Sequence, residues 1–179
     1  MVYGILIIAA IALWGVYWFL IRPIWMRNRM NKGVQMVYMG LALQAFSRLL
    51  PHYGEEMAAK LSAAVANEVF SITPTTDESR QFLAENRLTV RMFAKTLSQD
   101  VECCRLLSAA MLVKGMLDWS HGRKDSEHTF EPVDKLKKLG LYVDAAAGEG
   151  FKHYNLFYYR SADYLGRMSS ASKAAHANT

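Results

Sequence analysis

Histidine, cysteine, serine and paired carboxylates are the side chains through which this chain of 179 residues could do chemistry, and their spacing limits what that chemistry can be. The histidines are His52, His121, His128, His153 and His176. No two stand three or four apart, the spacing that puts two imidazoles on one helix face for a metal. His121 and His128 flank a polar segment holding Asp125 and Glu127, a mixed set that reads first as a solvated loop. Cys103 and Cys104 are neighbours on a helical stretch. Adjacent helical side chains point about 100° apart, so one should enter a core while the other lies at its border. They cannot staple distant segments, which leaves free thiols and a reducing compartment. No serine sits in a G-x-S-x-G elbow, and the eleven glycines form no G-x-G-x-x-G or Walker loop. Glu55-Glu56 and Asp77-Glu78 open helices, where the macrodipole already accounts for them. The expectation is a chain that is not an enzyme, with no catalytic, cofactor-binding or metal-binding residue.

The element that positions everything else is Val2–Ile21, twenty residues without a charged side chain. Twenty helical residues cover roughly 30 Å, the thickness of a bilayer's hydrocarbon core. The segment is expected to be a single transmembrane anchor, residues 1–21. A basic juxtamembrane segment, 22–33, follows with Arg22, Trp25, Arg27, Arg29 and Lys32 as the membrane flank. The positive charges lie after the apolar run, the reverse of a cleaved secretory signal. By the positive-inside rule the N-terminus faces out and the rest is cytoplasmic, in a bacterial inner (plasma) membrane. An organelle membrane satisfies the same reasoning.

Charge along the chain argues against a nucleic-acid groove. The net charge is +5 and the pI about 9.2. The surplus sits in 22–32 and in 151–179; residues 33–100 carry six basic against seven acidic side chains, and 101–150 seven against eight. A neutral middle with basic ends suits anionic lipid or an acidic partner better than a polyanion, and makes nucleic acid unlikely.

Behind the flank, residues 34–168 read as an all-α domain of about five to six helices in antiparallel packing. Gly33 is the natural break after the flank. Val34–Leu50 is apolar on two faces and should lie at the domain's centre. Pro51 ends it, and Glu55–Phe70 follows. Thr75 with Glu78 has capping-box spacing, so a third helix should run from there to about Leu97. Val101 to about Trp119 and the short EPVDKLKKLGL helix, stopped by Gly140, come next. DAAAGEG reads as a flexible link. Phe151, Tyr154, Phe157, Tyr158, Ala162, Leu165 and Met168 recur at helical spacing, and residues 169–179 read as a mobile tail.

Two surfaces remain for partners. The anchor carries Gly4, Ala9, Ala12 and Gly15, small residues suited to close helix packing. The second is the aromatic, basic face of Phe151, Tyr154, Phe157, Tyr158, Arg160 and Arg167, which either docks on its own domain or meets a partner or lipid. The expected function is a membrane-anchored structural, scaffold or assembly subunit of a larger inner-membrane complex, such as a secretion machine or an energy-transducing assembly. Its partners are then membrane lipid and the other subunits. The rival readings are a membrane-tethered enzyme or small-molecule sensor with a pocket between helices, using His121 or His128, and an anionic-lipid-binding module.

Overall fold

Helical periodicity is carried through in the computed structural model, which describes residues 2–120 and 131–178; among them there are helices and turns and no strand. Helix α1 (Val2–Val16) passes through one π-helical stretch, Tyr17–Ile21, straight into α2 (Arg22–Tyr53). Pro23 supplies a reason for the π stretch. Its ring would press on the carbonyl of Phe19 in a regular helix, and widening the turn, so that the Arg22 N–H reaches the Tyr17 carbonyl, gives it room. Tyr3–Tyr53 is therefore one rod of 51 residues, roughly 75 Å long. No residue from Tyr3 to Ile21 is buried, and this is the one helix among the described residues long and apolar enough to cross a membrane.

Gly33 does not break the rod. An added Cβ there would stand 2.5 Å from Cε1 of Phe157, and one at Gly40 would stand 2.5 Å from Cε1 of Tyr164. Both glycines are seats for aromatic rings of α9 (Tyr154–Ala177), which lies along α2 as its main partner. Residue numbers rise together on the two helices, from Trp25 beside Tyr154 to Gln44 bonded to Tyr164, so they run parallel rather than antiparallel. Phe157, Ser161, Tyr164 and Ser172 form the buried stripe of α9. Serine is tolerated there because Ser161 donates its hydroxyl to the Phe157 carbonyl at 2.7 Å, leaving a small and satisfied side chain at the contact.

Gly54, at φ 73°, turns the chain into α3 (Glu55–Val69), which runs back antiparallel to α2: Tyr38 donates to Asn67 at 2.6 Å and packs edge-on against Phe70. Pro51 stays inside the last turn of α2. The expected third helix is two, α4 (Asp77–Glu85) and α5 (Arg87–Thr96). Asn86 leaves helical geometry between them, its amide donating to the Phe82 carbonyl at 3.0 Å and offering the backbone a local alternative to the helix. Thr76 rather than Thr75 caps α4, accepting from the Ser79 N–H. After α6 (Val101–Ser120) come α7 (Glu131–Lys138), stopped at Gly140 with φ 70°, and α8 (Asp144–Lys152). The DAAAGEG segment is thus helical, and Gly150 lets it close on α6, where an added Cβ would meet Val113 Cγ2 at 2.8 Å. The expected tail is helical as well: α9 continues to Ala177 through good helix formers, with Ser172 buried and Ala175 against the core.

Candidate functional site

The basic flank and the aromatic segment read from the sequence meet at one place, the end of the domain from which the apolar rod projects. Because α9 starts beside α2 and runs parallel to it, the aromatic residues at its beginning stand next to the basic flank. The ring of Trp25 lies edge-on to Tyr154, centroids 6.0 Å apart. The guanidinium of Arg29 lies 4.7 Å from the Trp25 ring, 4.3 Å from Tyr158 and 4.9 Å from Tyr159, a cation held among three π faces. Two turns earlier the Arg22 guanidinium lies 4.0 Å over Trp18. A cleft of about 420 Å³ opens between the helices, lined by Trp25, Asn28, Arg29, Lys32, Gln35 and Tyr158. A second, of about 290 Å³, shares Asn28 with it and has Arg27 on its wall. These rings and cations form a collar at the foot of the rod; the first acidic residue of the chain is Glu55, so α1 and the collar stretch of α2 carry no carboxylate, while Asp118 of α6 stands on the wall of the second cleft.

The other residues of the candidate partner surface are placed differently. Phe157 leaves that surface: it is 1 % exposed, seated on Gly33. Phe151 is half-buried. Arg160 reaches back to Glu149 of α8, and Arg167 bonds Glu102 of α6 at 2.6 Å and Asp163 on its own helix. Those two arginines tie α9 to its own domain. Among the small residues of the rod, an added Cβ at Gly4 or Gly15 would meet nothing within 4 Å.

Beneath the collar a buried polar chain joins three elements. Asp100 caps α6, its Oδ1 accepting from the Cys103 N–H at 2.9 Å, while its Oδ2 accepts from the Gln44 amide at 2.7 Å. The Tyr164 hydroxyl lies 3.0 Å from Gln44 Oε1 and 3.4 Å from Cys103 Sγ. Every member has a partner, which is what allows polar groups at this depth. Burial pushes the Cys103 thiol up to about 12 and raises Cys104 as well. Both cysteines are buried, although adjacent helical positions predict one at the border. Sequence periodicity overlooked Gln44 and Tyr164. A signal was present, because Gly33 and Gly40 repeat at the same interval of seven as Phe157 and Tyr164.

Glu68 makes a second node: its carboxylate meets Arg91 of α5 at 3.3 Å and Lys135 of α7 at 3.2 Å. Burial pushes its carboxyl up, but the two cations outweigh that and hold it below the usual carboxylate range. Among the described residues no three His, Cys, Asp or Glu side chains converge as a metal site, and His121 and His128 lie outside those residues. No protein-family model, no curated protein and no solved structure matches this chain.

Proposed function

We propose that this chain is a single-pass membrane protein whose cytoplasmic helical domain serves as a structural or assembly subunit of a larger bacterial inner-membrane complex. The observation that carries the reading is the continuity of Tyr3–Tyr53. The helix at the centre of the domain is the same helix as the apolar rod, so the domain is mounted on the anchor without a flexible joint. An enzyme or sensor can work from a loose tether; a rigid mount sets a fixed height and orientation for neighbours in the same membrane.

The charge pattern supports the orientation, with Arg22, Arg27, Arg29 and Lys32 retained on the cytoplasmic side. Surface chemistry supports protein contacts. Leu88 and Met92, one helical turn apart on α5, are 78 % and 71 % exposed, and Met116 and Trp119 make a similar pair on α6. Large apolar side chains grouped on one face are what a partner covers. The test is purification from crosslinked cells through a C-terminal tag in mild detergent. A reproducible set of co-purifying membrane subunits is expected; a lone monomer, with no crosslinked product, would overturn the reading.

A further inference from the structure

We propose that the cleft between Trp25, Arg29 and Lys32 of α2 and Tyr158 of α9 seats the phosphate-bearing headgroup of an anionic phospholipid, in the leaflet from which the rod emerges. The inference rests on the rod spanning a bilayer, and deepens that reading by naming a ligand.

Helix continuity fixes the height of the cleft. Trp25 and Arg29 stand about 6 Å and 12 Å beyond Ile21 along the axis, and headgroups occupy roughly 5–8 Å beyond the hydrocarbon edge. Helical side chains lean toward the N-terminus, which here is toward the apolar segment. Arg29 does lean that way, since its guanidinium rests on the ring of Trp25, four residues back. The anion that such a cation meets at this height is lipid phosphate.

The chemistry of the cleft fits the same ligand. Aromatic faces hold the Arg29 guanidinium through its π surface and leave its N–H fork free to bind a phosphate in two-pronged fashion. Lys32 adds a second cation, while Asn28 offers an amide donor to phosphate or glycerol oxygens. Trp25 and Tyr158 are rings of the kind that settle at the headgroup level. The cleft, at about 420 Å³, has room for a glycerophosphate group whose acyl chains stay in the bilayer.

The experiment reconstitutes the full chain into nanodiscs of equal phosphatidylglycerol and phosphatidylcholine and reads the retained lipids by native mass spectrometry. Wild type should keep phosphatidylglycerol with a preference of roughly tenfold. Arg29→Gln with Lys32→Gln should bring the ratio to within about twofold of one. Arg29→Lys, which keeps the charge and loses the fork, should fall between. Arg87→Gln with Lys173→Gln, an equal loss of charge at exposed sites on α5 and near the end of α9, should leave the ratio unchanged. Circular dichroism establishes that each variant is folded. Absence of a preference in wild type, or equal losses in the two paired variants, would overturn the headgroup seat while leaving the anchor standing. A chain that does not enter nanodiscs would overturn both.

Discussion

At the scale of single residues the molecule shows how burial decides what a reactive group can do. Cys103 and Cys104 have thiols raised by burial, Cys103 up to about 12, and the Tyr164 hydroxyl reaches Cys103 from the neighbouring helix. A thiolate is the nucleophile, so both should resist alkylation in the folded protein. Iodoacetamide at pH 8 should leave them unmodified over a time that fully labels them in urea, read by intact mass; labelling at equal rates would contradict the burial. Glu68 gives the pH dependence. Its carboxyl is lowered in the folded state from an ordinary value of 4.5, so it binds fewer protons folded than unfolded there. The stability it contributes is complete above that ordinary value and is lost as pH falls through the lower folded one. The urea midpoint should therefore drop on acidification below about pH 4.5. Glu68→Gln should be less stable than wild type at pH 7, with the gap closing as pH falls. A gap that stays constant would show that the Lys135 and Arg91 contacts do not set it.

Elements meet most closely where α9 lies along α2, and the contact depends on two missing side chains. Gly33→Ala or Gly40→Ala would gain up to about 1 kcal/mol of helix propensity, yet must push aside a buried ring, which costs roughly 1–3 kcal/mol. A net loss of up to about 2 kcal/mol is expected for either, measured by chemical denaturation followed by circular dichroism. Phe157→Leu should recover part of the loss in Gly33→Ala and none in Gly40→Ala, a coupling that a double-mutant cycle isolates. Additive losses at Gly33 and Phe157 would contradict the seat. This pair also marks how far the sequence could be read. Uninterrupted apolar character was enough for residues 2–21, and helical periodicity for the domain's all-α character and for α3, α6 and α7, because each of those three buries a stripe of ordinary apolar residues. It missed the register of α9, whose inner face carries Ser161 and Ser172 and leaves Leu165 only half-buried. A small residue facing a large one reads as a break in either helix alone, which is why Gly33 looks like a stop in the sequence. The parallel pairing was not legible either, since it depends on where the intervening helices return the chain.

For the whole molecule the governing fact is that the apolar rod and the domain share one helix. The basic flank and the aromatic start of α9 were both visible in the sequence as separate features, 130 or so residues apart. Only the parallel pairing of α2 and α9 joins them into a collar at the rod end of the domain, with Arg29 among Trp25, Tyr158 and Tyr159. Replacing residues 2–21 by an unrelated apolar helix separates two roles: a surviving function makes the segment a tether, and a failed assembly makes its side chains an interface. The most direct test is alkaline extraction of cell membranes, followed by protease digestion of sealed right-side-out and inverted vesicles. The account predicts that the full chain stays in the membrane pellet at high pH, and that protease trims the domain away only when added to the cytoplasmic face, leaving a short protected N-terminal fragment. Release of the chain into the alkaline supernatant, or digestion of the domain only from the opposite face, would contradict it.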